Sequence, residues 1–328
     1  MTPQQHRTGA LTLESLAERT SATLEQALLD AVAGPDAVHA AMRYHLETGG
    51  KRLRALIPPW LALNLGGDEA RARAFGVAIE LVHNGTLVHD DVQDGDDTRR
   101  GRPTVWRRFG TPQAINAGSW LMFAGASVAA AADPSGAAVA TVQRAVLRVI
   151  EGQGLEFELQ ASPSPTTSAW EAMARAKTGA LFRAAWALGA LASDLGAEAV
   201  EGLAAHGDDL GLFFQLQDDL LDLLGDKGRG ASATDLAEGK ISFPVAWAAE
   251  HAATAARGRL LEIVRLPRDQ TPPAMVSEAL ALLHETGAIA TALGALRDHA
   301  RRLDASPWAS ATPGLVARVL GPLAHALG

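Results

Sequence analysis

HDDVQDGDDTRRG, His89 to Gly101, places five aspartates and two arginines within thirteen residues. The residues before it carry a helical period. No proline falls between Asp68 and Asp94, and Phe75, Ile79, Val82 and Leu87, with Val77, Leu81 and Val88, form a broad apolar face. Asp90 and Asp94 are four apart and share one face of that helix, with Asp91 about 100° away. Like charges at this spacing cost roughly 0.2–0.5 kcal/mol per pair, and the C-terminal end of a helix disfavours anions. The arrangement is doubly unfavourable unless it is a solvated acidic helix end or a place where a cation binds.

The same pattern returns in QLQDDLLDLLGD, Gln215 to Asp226, where Asp218, Asp219 and Asp222 follow an apolar run containing Phe213 and Phe214. If the two helices face each other, the carboxylates form an oxygen-rich cage suited to a hard divalent cation. Apart from His89, no histidine lies at ligand spacing beside them, which argues against zinc. Cations are supplied separately: Lys51, Arg52 and Arg54 in GGKRLR, Arg99, Arg100 and Arg102 after the first cluster, Lys177 beside Thr178, and Lys227, Arg229 and Lys240 after the second. Magnesium with arginine and lysine is a way to hold and neutralise a diphosphate.

The rest of the chain reads as helix throughout. Alanine and leucine dominate, no alternating strand pattern stands out, and breakers such as Gly34-Pro35, Gly66-Gly67, Gly110 to Pro112, Ser162 to Pro165 and Pro272-Pro273 cut it into pieces of mostly 12 to 30 residues. No linker suggests a second domain, so the expectation is a single all-α domain over residues 1–328. A net charge of −8 excludes an overall basic field for nucleic acid. The absence of cysteine excludes disulfides, thiolate zinc sites and cysteine nucleophiles. The N-terminal MTPQQHRTGA lacks a signal-peptide core. The most apolar run, Gly118 to Ala132, is fifteen residues, short of the roughly twenty a span requires. A cytoplasmic protein with no membrane span is expected.

Taken in order, these stretches resemble the trans-isoprenyl diphosphate synthases, or polyprenyl synthetases. GGKRLR, ELVHNGTLVHDDVQDGDDTRRGRPTVW, GQGLEFEL, AKTGALF, FFQLQDDLLDLLGD and DLAEGKISFPV are each similar to a family motif, from about Gly49 to Pro244. The resemblance implies an isoprenoid synthase-type helical bundle with a central active-site cavity, working as a homodimer. It implies a magnesium-dependent condensation of an allylic prenyl diphosphate with isopentenyl diphosphate, with three Mg2+ per site. Ala55, Ser119 and Trp106 depart from the family's commonest residues, and none is an expected metal ligand.

By the same resemblance, Asp90 and Asp94, with Asp91, are expected to hold two magnesium ions, and Asp218 the third, with Asp219 and Asp222 in support through waters. Arg99, Lys177 and Lys240 are expected on the allylic diphosphate, and Lys51, Arg54, His83 and Arg100 on isopentenyl diphosphate. Thr178 and Gln215 are expected to line the carbocation, and Gln153 to stand behind a magnesium-bound water. Lys227 and Arg229 both qualify as the lysine-loop cation. Growth of the product is expected along the helix carrying the first cluster. Small residues at Gly85 and Thr86 leave that shaft open, so a product of twenty carbons or more is expected, with Trp120, Met122 or Phe123 as a deeper plug and Gly85→Phe as a shortening substitution. Two alternatives are a class I terpene cyclase and a non-catalytic partner subunit. Both fit poorly, because the second aspartate cluster and GGKRLR are complete.

Overall fold

A computed structural model describes residues 11–225 and 233–326. The described residues form sixteen α-helices, and their only strands are the two-residue β1 (Thr98–Arg99) and β2 (Arg102–Pro103), paired antiparallel. Arg100 and Gly101 make the turn between them, both with positive φ, at 54° and 74°. This hairpin is too short to give an alternating pattern in the sequence.

The chain divides into two compact units, the first comprising Met1–Leu147, Leu181–Gly207 and Trp308–Pro313, the second Arg148–Ala180, Asp208–Pro307 and Gly314–Gly328. Three of their boundaries fall within α7, α9 and α10, and the other two, at Pro307 and Pro313, fall in short connections.

The first unit holds α1 (Leu13–Ala31), α2 (Ala37–Leu46), α3 (Leu53–Leu65), α4 (Glu69–Gln93), α5 (Val105–Phe109) and α6 (Thr111–Ala132). The no-proline stretch read from the sequence is α4. Asp68 caps its start by accepting from the amides of Ala70 and Arg71, at 2.9 and 3.0 Å, and Asp94 ends it. Its apolar face is buried through Phe75, Ile79, Val82 and Val88. Three glycines bring α4 and α6 together. A Cβ on Gly85 would lie 2.7 Å from the Gly118 carbonyl, one on Gly118 2.2 Å from the His89 ring, and one on Gly125 2.5 Å from the Ala78 carbonyl.

The apolar run from Gly118 belongs to a longer helix than the sequence suggested. α6 has 22 residues and, among the described residues, is the one unbroken helix long and apolar enough to cross a membrane. One side of it packs on α4 through these glycines. The other exposes Ile115 and Phe123.

The second unit contains α8 (Thr167–Ala174), α11 (Thr234–Ala237), α12 (Phe243–His251), α13 (Thr254–Val264), α14 (Pro273–Glu285), α15 (Ala288–Asp304) and α16 (Leu315–Leu320). Two helices contribute to both units, α7 (Ala137–Ala161) and α10 (Ala197–Leu224), and α9 (Ala180–Ala192) lies in the first apart from Ala180. The second core gathers Trp170, Phe213, Leu220, Val245, Leu283 and Leu296. The Trp170 and Phe243 rings meet edge to face at 5.1 Å. Between α8 and α9 the helix widens into a π-turn over Arg175–Gly179, which carries Lys177 and Thr178. Such insertions are rare and are frequent at functional sites.

Candidate active site

In the first unit, α4 delivers Asp90 and Asp94 on one face, and a carboxylate oxygen of each lies within 4.8 Å of the other. Asp91 is set apart from them. Its side chain is buried, and its Oδ1 accepts from Arg99 Nε at 2.6 Å. Arg99 also approaches Asp90, at 3.7 Å. Burial pushes the Asp91 carboxyl up to about 7 against the pull of Arg99, and the Asp90 and Asp96 charges add to the rise. Asp91 therefore reads as the anchor of Arg99 rather than as a third member of the Asp90–Asp94 pair. The donors of that pair are all oxygen, which suits a hard divalent cation. The buried Asp91 Oδ2, which has no hydrogen-bond partner, adds negative potential beside them. The residues fit a divalent metal.

His83 lies seven residues before Asp90, on nearly the same face and about 10 Å back along the axis. Arg54 Nη1 is 3.3 Å from His83 Nε2. Arginine has no acceptor, so the imidazole accepts there and carries its proton on Nδ1. Burial, then Arg54, Arg100 and Arg99, hold the His83 pKa well below the usual range, which keeps the ring neutral and able to accept. The Arg54 guanidinium also lies 4.5 Å from the centre of the Phe182 ring. Arg100 Nη1 approaches Thr48 Oγ1 at 3.3 Å, and a Cβ on Gly50 would sit 2.8 Å from its guanidinium, so glycine there gives the arginine its place. Lys51 is exposed.

The hairpin bearing Arg99 and Arg100 is tied down by three residues outside the expected site. Tyr44 donates to the Pro103 carbonyl at 2.7 Å and carries Arg102 and Arg108 on its ring. Thr104 and Trp106 donate to the Asp96 carbonyl, each at 2.8 Å.

His45 was also unforeseen. It is buried, and its Nε2 has no partner. Burial, with Arg99, Arg100 and Arg52 nearby, pulls its pKa down to about 3, and a hydrogen bond with Asn84 opposes the fall. The folded state thus holds this ring neutral while the unfolded chain takes up a proton below about pH 6.5. Stability from this group is full above that pH and is lost as pH falls towards 3, by about 1.4 kcal/mol per unit. Chemical denaturation at pH 7 and pH 5 should therefore show a drop about 2 kcal/mol smaller in His45→Gln than in the wild-type chain. Equal drops would contradict this account.

In the second unit the aspartates are used differently. Asp219 Oδ1 accepts from Gln215 at 2.9 Å, and its Oδ2 from Trp170 Nε1 at 3.0 Å and the Phe243 amide at 2.8 Å. Burial still pushes it up to about 7, with the Phe243 and Gln215 hydrogen bonds opposing. Asp222 accepts from Thr234 Oγ1 at 2.6 Å and from the Asp235 amide at 2.9 Å. Both carboxylates are buried and held by protein donors, in place of the expected support through waters. Asp218 stays half-buried.

Thr178 donates to Gln215 Oε1 at 2.6 Å, so a chain of hydrogen bonds runs Thr178–Gln215–Asp219. Lys177 pairs with Glu156, which also accepts from Gln153 Nε2 at 3.0 Å. Glu156 is a site residue that sequence reasoning missed, although it stands three places after Gln153 in GQGLEFEL. Gly152 lets α7 meet the π-turn, since a Cβ there would fall 2.4 Å from the Lys177 amide nitrogen. Lys240 pairs with Glu238 at 3.0 Å. Lys227 and Arg229 lie outside the described residues.

Of the residues assigned to product length, Gly85, Trp120 and Phe123 are placed otherwise than expected. Gly85 faces α6 rather than open space. Trp120 meets the His39 ring at 5.4 Å and packs against the core of the first unit. Phe123 is 76% exposed, so it plugs nothing within this unit. Thr86, half-buried, donates to the His83 carbonyl and keeps the Asp90 side of the helix.

The described residues are almost wholly helical, with a carboxylate pair at the end of α4 and arginines beside it. The polyprenyl synthetase family model matches residues 35–283. The short chain isoprenyl diphosphate synthase of Methanocaldococcus jannaschii is 36% identical over 235 residues, 70% of this chain and 71% of that one. The structure of geranylgeranyl pyrophosphate synthetase from Pyrococcus horikoshii Ot3 matches with a TM-score of 0.86 and 29% identity, over 95% of this chain and 98% of that one. Polyprenyl synthase from Caulobacter crescentus CB15, complexed with calcium and isoprenyl diphosphate, matches with a TM-score of 0.83 and 26% identity over the same shares. The chain belongs to the polyprenyl synthetase family, a family of prenyltransferases.

Proposed function

We propose that the protein is a trans-prenyl diphosphate synthase that joins an allylic prenyl diphosphate to isopentenyl diphosphate and releases a product of twenty carbons or more. The observation that carries this reading is the layout of α4. It bears a carboxylate pair for a metal-bound diphosphate at its end, and two turns earlier a neutral histidine that holds Arg54 for a second anion. Magnesium, three ions by family resemblance, supplies neutralisation of the departing diphosphate when bound. By the same resemblance, Asp90 and Asp94 of the first unit and Asp218 of the second would be its ligands. Arg99, fixed by Asp91, and Lys177 and Lys240 contact the allylic diphosphate; Lys51, Arg54 and Arg100 contact isopentenyl diphosphate.

In the reaction the allylic carbon–oxygen bond breaks and its electron pair leaves with diphosphate. The isopentenyl double bond attacks the cation, and one proton is lost. Thr178 spends its hydroxyl proton on Gln215, so its oxygen lone pairs remain to face positive charge. Gln153 steadies Glu156 beside Lys177. The protein acts in the cytoplasm as a homodimer. Support for the dimer comes from α6, which has no charged residue and exposes Ile115 and Phe123.

The test is to incubate the protein with Mg2+, labelled isopentenyl diphosphate and primers of five to twenty carbons, and to weigh the products. Linear diphosphates of twenty carbons or more, abolished by chelation, are expected. Fifteen-carbon product alone would refute the length assignment, a cyclic hydrocarbon would refute the condensation, and no metal-dependent product would refute both.

A further inference from the structure

GGKRLR brings three cations into four residues, and the structure turns the middle one away from the others. Lys51 is exposed and Arg54 half-buried, whereas Arg52 is buried. Its Nε and Nη2 donate to the two Glu25 oxygens at 2.8 and 3.0 Å. Nη1 donates to Glu80 Oε1 at 3.1 Å and approaches Asn84 Oδ1 at 3.4 Å, and Nη2 donates to the Leu46 carbonyl at 2.8 Å. A single guanidinium thus fastens the turn to α1, α2 and α4.

Two features argue that this fastening serves geometry. Arg52 has φ 48° and ψ 27°, a left-handed conformation that side chains other than glycine adopt at a cost of about 1 kcal/mol or more. Glycines occupy 49 and 50, yet arginine occupies the strained position, so its side chain must hold the backbone there. Glu80 is 3% exposed, and a buried ion pair of this kind is often no more stabilising than apolar residues of the same volume. What the pair does fix is the path of Gly50, where Arg100 rests, and the start of α3, where Arg54 reaches His83. Glu80 and Asn84 stand on α4 ten and six residues before Asp90, so the turn is referenced to the helix that carries the metal-binding pair.

We propose that Arg52 is a positioning residue for isopentenyl diphosphate, locking the turn so that Lys51 and Arg54 project from it and Arg100 lies against Gly50. This rests on the synthase reading above. Arg52→Lys keeps the charge but loses the fork that reaches Glu25, Glu80 and Leu46 together. Glu25→Gln weakens one arm at a side chain that is 39% exposed, and so spares the fold.

Steady-state kinetics should show the KM for isopentenyl diphosphate raised about tenfold in Arg52→Lys and about threefold in Glu25→Gln. The KM for the allylic primer should stay within about twofold in both. Should Arg52→Lys fail to fold, Glu25→Gln decides. Folded variants with unchanged isopentenyl KM, or with both KM values raised alike, would overturn the assignment. A wild-type chain that makes no condensation product would instead overturn the synthase reading beneath it.

Discussion

Asp90→Asn and Asp218→Asn should each reduce kcat/KM for condensation by about 10³-fold or more, some 4 kcal/mol of transition-state stabilisation. Both changes keep the shape of the side chain and remove its charge. At Asp90 the change also removes a like-charge partner of Asp94 four residues away and an anion from the end of α4. Its melting temperature should therefore hold or rise slightly while activity collapses. Asp222→Asn should do the reverse. It sets an amide donor against the Thr234 hydroxyl or the Asp235 amide, so it should lose about 1–3 kcal/mol of stability. Paired measurements of turnover and thermal unfolding check this. Near-normal turnover in Asp90→Asn would remove the ground for placing a metal-bound diphosphate at the end of α4.

Gly85→Phe should unfold the first unit rather than shorten the product. The added Cβ alone would stand 2.7 Å from the Gly118 carbonyl, 2.8 Å from Met122 Cγ and 3.1 Å from Leu121 Cβ. The carbonyl is backbone and cannot step aside, and a ring has nowhere to go between two close-packed helices. Overpacking of this kind costs about 3 kcal/mol or more. Thr86→Phe is the contrasting variant. Thr86 is half-buried and shares the face of Asp90, so the aromatic ring should be tolerated and should shift the product to fewer carbons. Circular dichroism melts and product masses for the two variants decide the matter. A Gly85→Phe protein that melts like wild type and makes shorter product would return the shaft to that position.

The helical period of α4 was legible because it depends on residues near in sequence, an apolar face repeating every three to four positions. The family's motifs were legible as strings. What the strings hid was direction. Both clusters read as aspartates at i, i+1 and i+4, and spacing alone pairs the first with the last. In the first cluster that holds. In the second, Asp219 and Asp222 both turn inward, because Trp170, Phe243, Thr234 and Asp235 offer donors to them. All four donors come from residues more than ten positions away, beyond any periodicity. Arg52 was hidden for the same reason: nothing in GGKRLR says which cation meets Glu25 and Glu80. Gly85 read as small and permissive, when its use, with Gly118 and Gly125, is to admit another helix.

The hairpin of Thr98 to Pro103 sorts Arg99 from Arg100 by backbone conformation. Arg99 ends the first strand and reaches the aspartates of α4, whereas Arg100 opens the turn with φ 54° and reaches Thr48. Which arginine serves which anion is thus set by place along the backbone, not by side-chain chemistry, since the two are the same amino acid. Inserting or deleting a single residue in this short ribbon would move at least one arginine off its address and disturb the turn as well, a deeper injury than replacing either arginine alone.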